Sequence, residues 1–417
     1  MTVLCRHCSR PLETVFADLG RTPLSNAFLP ADDPARIAAE PIFPLKVMVC
    51  DVCLLVQTTE TVPAESIFTG DYAYLSSYSS SWLAHAKAYT EAMIDRFGLD
   101  ERSLVVEIAS NDGYLLQYFV ERQIPVLGIE PAANAAAIAE AKGVPTLVRF
   151  FGQTTAADLV AEGRRADLIA ANNVLAHVPD IADFVAGFAT LLAPTGVATF
   201  EFPHLLRLIE GLQFDTIYHE HYSYLSMLAV ERILAGAGLA IFDVEELPTH
   251  GGSVRVFVQH AGGARPVDDR FRRLRDAEIA FGLADPATYA QFDGKIAAVA
   301  AAFRTFLDDA KRRGLTVAAY GAAAKGNTFL SVCGATAADV AFVVDRNPVK
   351  QGKLTPGSHI PVLAPEHLAV ARPDRIVILP WNLADEIRRS NATVADWGGR
   401  FVVAVPTLTV FETDARA

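Results

Sequence analysis

Basic residues are in short supply: 36 Lys and Arg stand against 48 Asp and Glu, a formal charge of −12. That balance argues against a partner held by nucleic-acid phosphates, while leaving room for a local basic pocket around one small anion. No apolar run is long enough to span a bilayer, so no membrane partner is expected. The opening residues, Met1-Thr-Val-Leu-Cys-Arg-His-Cys8, lack a basic stretch followed by an apolar one, which speaks against a secretory signal. Repeats and low-complexity tracts are missing as well. Cysteine is sparse, with five in 417 residues, yet four of them fall in two C-x-x-C pairs. That usage points to metal binding in a reducing, cytoplasmic setting rather than to disulfides. What is plentiful is apolar residues, 51% of a chain long enough for two or three domains.

The pairs are Cys5-x-x-Cys8 and Cys50-x-x-Cys53, with 41 residues between them. A C-x-x-C turn sets two thiolates on one side of a tight loop, half of a tetrahedral zinc shell. Two such turns make a closed four-thiolate site, hence a structural zinc. His7 lies inside the first turn, but Cys8 already completes the pair. The alternative is two redox dithiols, each of which needs a helix start beside it to lower its thiol pKa. Val49 and Leu54 flank the second pair as strand residues instead. Pro23, Pro30, Pro34, Pro41 and Pro44 are expected to keep the intervening chain irregular. Cys333 stands alone and reads as buried filler.

From about residue 75 helices and strands alternate. Residues 81–97 form an amphipathic pattern, and 103–109 a buried strand that ends in Ser110-Asn111-Asp112-Gly113 before a helix over 114–121. Further strands are read at 126–130, 167–173 and 196–202, with a weaker one at 146–151. Such spacing calls for a mostly parallel, doubly wound sheet. Glu130, 17 residues beyond Gly113, closes the second strand, where nucleotide-binding folds place an acid on ribose hydroxyls. The first loop is no dinucleotide fingerprint. It offers Glu107, Asn111 and Asp112 where a pyrophosphate wants glycines and bare N–H groups. Acids there suit a cationic cofactor without a pyrophosphate, such as S-adenosylmethionine. Two strands at 239–246 and 253–260, joined through His250-Gly251-Gly252, then close the sheet as a terminal hairpin.

Tyr218-His219-Glu220-His221-Tyr222 is the densest chemical segment. Two imidazoles, a carboxylate and two phenols each need a polar partner if buried, and together they offer bases, acids and oxyanion donors. A polar surface loop is the plain alternative. In an extended loop His219 and His221 would face one side and Glu220 the other; a tight turn would break that alternation. After Gly262-Gly263 an Arg-rich helical stretch runs to Arg313, and a second α/β pattern follows. Its strand, small-residue turn and helix at 315–327, with Lys325 at the helix start, suit an anion such as a diphosphate. Residues 341–345 read as the next strand, ending on Asp345.

Taken in order, the two C-x-x-C pairs, Asp71-Tyr72-x-Tyr74-x-Ser-Ser-Tyr78, Glu107-x-x-Ser-Asn-Asp-Gly113, Asn172-Asn-Val-Leu-Ala-His177, Tyr218-His-Glu-His221 and Tyr320-Gly-Ala-Ala-Ala-Lys-Gly-Asn327 resemble the nucleotide-sugar C-methyltransferases of deoxysugar pathways. The resemblance covers nearly the whole chain. It implies a small zinc-binding module over 1–70, a central class I methyltransferase (Rossmann-like) domain over 71–262, and a second Rossmann-like α/β domain over 263–417 that helps hold the substrate. The implied cofactors are S-adenosylmethionine and structural zinc on Cys5, Cys8, Cys50 and Cys53. The implied substrate is a nucleotide-linked 4-keto sugar, dTDP favoured, methylated beside the ketone at C-3. Carried over by position, His221 is the base, with His177, Tyr218, Glu220 and Tyr72 around the sugar. Glu107, Ala109, Asn111, Asp112, Gly113, Glu130, Asn172 and Asn173 surround the cofactor, and Lys325 and Asn327 meet the diphosphate. Many methyltransferases carry glycines where this chain has Ala109 and Asn111. Other readings stay open: a small-molecule O- or N-methyltransferase, a non-catalytic nucleotide-sugar-binding protein, and a metal enzyme using His219 and His221. The oligomeric state is open too, with a monomer compatible.

Overall fold

The computed structural model describes residues 2–60 and 75–412. Three sheets organise the chain. The largest has seven strands in the order Leu239–Leu247, Ser253–His260, Leu192–Pro203, Ala166–Asn172, Val105–Ile108, Val126–Ile129, Thr146–Leu147. All neighbours are parallel except those of Ser253–His260, which runs antiparallel on both sides. Its inner strand Val105–Ile108 is buried along its whole length, as a sheet covered on both faces requires. This is the class I methyltransferase order, closed by the expected antiparallel hairpin. The weak strand expected at 146–151 is only the two-residue edge Thr146–Leu147.

Helices cover that sheet where the sequence supplies both a period and a cap. In Ser80–Phe97 the buried residues Ala86, Tyr89, Thr90 and Met93 recur on one face; Ser79 accepts from the Trp82 N–H, and Gly98 ends the helix at φ 64°. The helix Met227–Gly236 is capped by Ser226 and also by a distant carboxylate. Glu278 accepts from the Met227 and Leu228 N–H groups at 2.7 and 2.9 Å and meets His204 at 2.6 Å. A buried acid at a helix N-terminus is stabilised by the orphan donors there, and this one pins the helix Asp269–Phe281 to the methyltransferase core.

The amino-terminal residues form a sheet in the order Thr14–Thr22, Phe43–Val49, Val56–Thr58, Ser223–Tyr224. Residues 23–42, which hold four of the five prolines, are irregular apart from Leu29–Pro30 and the short helix Pro34–Ala38. Pro44 lies within a strand, at its end opposite Arg21, where the register slips, and the loss of one ladder donor is tolerated there. Leu54 takes φ 63° in the turn after Cys53 and is not part of a strand. The last strand, Ser223–Tyr224, pairs antiparallel with Val56–Thr58. It follows directly on the Tyr218–Tyr222 segment, so that segment is held between two modules.

The carboxy-terminal sheet has six strands in the order Val362–Leu363, Val343–Val344, Val317–Tyr320, Arg375–Ile378, Arg400–Val403, Thr409–Val410, the first five parallel. One buried apolar cluster joins Phe16 and Val47 of the first sheet, Phe214, the long helix Phe292–Arg312, and Phe329 and Val343 of the last module. Phe16 stacks on Phe292 at 4.5 Å. A small antiparallel pair, Leu29–Pro30 with Lys353–Leu354, ties the ends of the chain together. No described helix is long and apolar enough to cross a membrane.

Candidate active site

The four cysteines converge. Their sulfurs all lie within 4.8 Å of one another, with Cys5–Cys53 at 3.5 Å and Cys8–Cys50 at 3.4 Å. Tetrahedral Zn–S bonds of about 2.3 Å place sulfurs about 3.8 Å apart, so the set fits a zinc ion without rearrangement. Arg6, between the first two thiols, donates to the carbonyls of Thr58 and Tyr222. The knuckle thereby touches the backbone that follows the Tyr-His-Glu-His segment.

The cofactor loop leaves Val105–Ile108 through three residues of positive φ: Ala109 at 56°, Asn111 at 50° and Gly113 at 74°. Ala109 and Asn111 thus adopt the backbone that glycines provide elsewhere, a strained choice for side-chain-bearing residues. Asn111 is compensated locally, because its Oδ1 accepts from the Ser76 N–H at 2.9 Å. Lys142 holds the Asp112 carbonyl and the Ser77 hydroxyl, both at 2.7 Å. Glu130 lies at the end of its strand and accepts from the Asn111 and Ala132 N–H groups at 2.9 and 2.8 Å. Each carboxylate oxygen keeps a second lone pair for a hydroxyl. Glu107 is fully buried, and neither of its oxygens has a hydrogen bond of good geometry to a described residue. Burial pushes its carboxyl well up, the Tyr114 hydroxyl draws it back, and Glu130 and Asp112 push it further. Asp112 Oδ1 and the side-chain oxygens of Asn172 and Asn173 are likewise buried without a described hydrogen-bond partner. Buried acceptors of this kind suit a cationic, donor-rich ligand, and S-adenosylmethionine carries a sulfonium and an ammonium.

The residues Tyr218–His221 form a tight turn, closed by the His221 N–H on the Tyr218 carbonyl at 2.9 Å. The alternation expected of an extended loop is lost, and the two histidines part. His219 is 2% exposed; its Nε2 faces the Pro44 carbonyl at 3.2 Å, and its ring meets Phe43. Its place is structural, against the first sheet, which removes the reading of a metal held by His219 and His221. Glu220 also turns away from His221. Its Oε1 accepts from Asn26 Nδ2 at 2.6 Å, and its carboxyl is raised by burial, with Asn26 and then Lys350 opposing.

His221 instead packs among the rings of Tyr218 and His177. Its Nδ1 lies 2.8 Å from the Thr216 carbonyl. A carbonyl only accepts, so Nδ1 carries the proton and Nε2 carries the lone pair. The Tyr218 ring lies 4.0 Å from the imidazole and the His177 ring 4.7 Å. Burial, then His177, His250 and Lys325, hold the His221 pKa well below its ordinary value, against the Thr216 carbonyl. His177 is stapled to the turn: the Tyr222 N–H donates to the Ala176 carbonyl at 2.8 Å. Burial brings the His177 pKa to about 4, with the Glu220 backbone opposing.

Lys325, whose charge acts on His221, opens the helix Ala324–Val332. Its ammonium donates to Asn382 Oδ1 at 2.6 Å and lies 4.6 Å over the Trp381 ring. Lys350 holds the Ala322 carbonyl at 2.8 Å, which places a second cation beside the same turn. Asn327 is elsewhere, 1% exposed and donating to the Ser25 carbonyl at 2.8 Å. That contact ties modules together and gives its amide a structural partner. Tyr72 lies outside the described residues. Thr216, Lys350 and Trp381 went unnoticed in the sequence. Thr216 acts through its carbonyl, which every residue has, so no residue type could have signalled it.

Family profiles match in the same order: a zinc-binding domain at residues 5–68, a methyltransferase domain at 82–244 and a C-methyltransferase C-terminal domain at 248–406. The chain is 34% identical over 411 residues to the C-methyltransferase NovU of Streptomyces niveus, covering 99% of this chain and 97% of that one. This chain is a member of the S-adenosylmethionine-dependent C-methyltransferase family. Methyltransferases of other kinds match less of the chain. A ubiquinone biosynthesis O-methyltransferase of Rhodopseudomonas palustris is 24% identical over 156 residues, 32% of this chain and 62% of that one. Among solved structures, magnesium protoporphyrin IX methyltransferase of Synechocystis with bound SAM is 14% identical, covering 42% of this chain and 78% of that one, with a TM-score of 0.33. The C-methyltransferase thus has S-adenosylmethionine and a structural zinc as its cofactors, and the residues above fit both.

Proposed function

We propose that this C-methyltransferase methylates a carbon beside the ketone of a nucleotide-linked 4-keto deoxysugar, with His221 as the base. A dTDP-linked 6-deoxy or 2,6-dideoxy hexose methylated at C-3 is the favoured substrate. The zinc module (1–70), cofactor domain (71–262) and nucleotide-sugar domain (263–417) share the work.

A C–H bond is a poor nucleophile, so the acceptor carbon must first become an enolate. A 4-ketone permits this, because the charge left by deprotonation delocalises onto the ketone oxygen. S-adenosylmethionine supplies the electrophilic methyl group. The chain must supply a bare base and a donor to the growing oxyanion. The observation that carries the reading is the Thr216 carbonyl on His221 Nδ1 at 2.8 Å, which leaves Nε2 unprotonated where burial disfavours the charged ring. Such a positioned base contributes roughly 10²–10⁴-fold. The Tyr218 hydroxyl is suited to the oxyanion, and Lys325 with Lys350 to the diphosphate. A dianionic substrate beside these cations would also raise the base toward neutral pH, where proton abstraction gains driving force.

The test is a mass-spectrometric screen of dTDP-, GDP- and CDP-4-keto sugars for the gain of one methyl group. Solvent deuterium should wash into the carbon beside the ketone without cofactor. Methylation on oxygen or nitrogen, with no wash-in, would overturn the enolate reading.

A further inference from the structure

The carbonyl that fixes His221 belongs to a turn gripped by the carboxy-terminal module. Phe214–Thr216 is a single 3-10 turn. The Thr216 hydroxyl and N–H both donate to the Gln213 carbonyl, at 2.7 and 3.1 Å. Gln213 Nε2 donates in turn to the Gly251 carbonyl at 2.8 Å. Between these residues sits Asp215, 1% exposed. Its Oδ2 accepts from the indole N–H of Trp381 at 2.7 Å, while its Oδ1 is buried without a hydrogen bond to a described residue. Trp381 follows the strand Arg375–Ile378 and carries Lys325 over its ring. Gly251 is fitted to the same indole, since a Cβ there would come 2.4 Å from Trp381 Cη2.

A buried carboxylate with one idle oxygen is expensive, and an apolar residue of similar size would pack the turn without that cost. The acceptor oxygen therefore has work to do that packing alone does not explain. Its hydrogen bond to the indole crosses from the methyltransferase domain to the module that holds Lys325. The next residue in the chain supplies the acceptor for His221.

We propose that Asp215 is a positioning residue: held by Trp381, it fixes the turn whose Thr216 carbonyl decides which nitrogen of His221 is bare. The inference rests on His221 being the base. It places the indole as the contact through which Lys325 and the imidazole keep one geometry.

The test uses the full chain with ¹⁵N-labelled histidine, the His221 signal being assigned by its loss in His221→Asn. The wild type should show the Nδ1-protonated tautomer. Asp215→Ala should move His221 toward a mixture of tautomers and lower kcat by about 10- to 100-fold, as misplacement of a catalytic group does, with the KM for S-adenosylmethionine unchanged. Asp215→Asn keeps an oxygen for the indole and should retain both the tautomer and a near-wild-type kcat. Trp381→Phe removes the donor from the far side and should repeat the Asp215→Ala result; it decides the matter if Asp215→Ala does not fold. An unchanged tautomer in Trp381→Phe, or in a folded Asp215→Ala, overturns the proposal. A tautomer shift in a protein that methylates no keto sugar would instead sink the base assignment and leave the hold on the ring intact.

Discussion

The imidazoles of His177 and His221 meet edge to face, 4.7 Å apart at 71°. Two such rings in contact cannot both take a proton cheaply. Burial dominates for each: it brings His177 to about 4 and holds His221 well below its ordinary value. The acid limb of kcat/KM, which reports the free enzyme, should therefore lie below the usual histidine value of about 6.5. Stability carries the same sign. Between that value and about 4 the unfolded chain binds protons that the folded chain refuses, so stability falls as pH drops through this window. Denaturant midpoints at pH 7 and pH 5 check it, and His177→Asn should flatten the difference. An acid limb above 6.5 would contradict the geometry.

Removing the base should separate binding from chemistry. His221→Asn or His221→Ala is expected to lose methyl transfer by roughly 10²–10⁴-fold. Calorimetric affinity for S-adenosylmethionine should be retained, because Glu107 and Glu130, the acids proposed for the cofactor, lie on other elements. Near-normal single-turnover rates in either variant would remove His221 from its role.

Zinc should matter to the active site at a distance. Metal analysis is expected to find one zinc per chain, lost in Cys8→Ser. The first sheet carries both Ser223–Tyr224 and the Pro44 carbonyl that meets His219, so stripping the metal should loosen the Tyr218–His221 turn. Activity should then fall along with the thermal midpoint. Full kcat in a zinc-free, folded variant would show that the turn stands without the knuckle.

The cofactor loop offers a contrast between two neighbouring substitutions. Gly113 has φ 74°, and a Cβ there would meet Ala139 Cβ at 3.1 Å and Val144 Cγ2 at 3.2 Å. Gly113→Ala should cost about 1–3 kcal/mol of stability and weaken cofactor binding. Ala109→Gly relieves a residue already at φ 56° and should leave the calorimetric affinity intact. Equal losses in both would mean that the backbone of this loop is not what shapes the site.

Much of this could be read from residue order. Apolar runs ending on Glu107-to-Gly113 and on Glu130 gave the sheet of the methyltransferase domain, because a doubly covered parallel strand has to be mostly apolar. Cysteine spacing gave the zinc site for an equally local reason. Direction was what failed. An extended loop and a tight turn were equally open for Tyr218–His221; the hydrogen bond from His221 N–H to Tyr218 O makes it a turn and sends His219 to Pro44 and Glu220 to Asn26. Asn327 followed the same course: a motif neighbour of Lys325, it turns to Ser25. Partners such as Asn26, Ser25 and Trp381 lie 166 to 302 residues away from the groups they hold, and local pattern carries no trace of them.

The strand Ser223–Tyr224 closes a sheet begun some two hundred residues earlier. During synthesis the amino-terminal hairpins therefore wait with an open edge until the ribosome has delivered most of the next domain. The order of assembly cannot simply follow the order of translation.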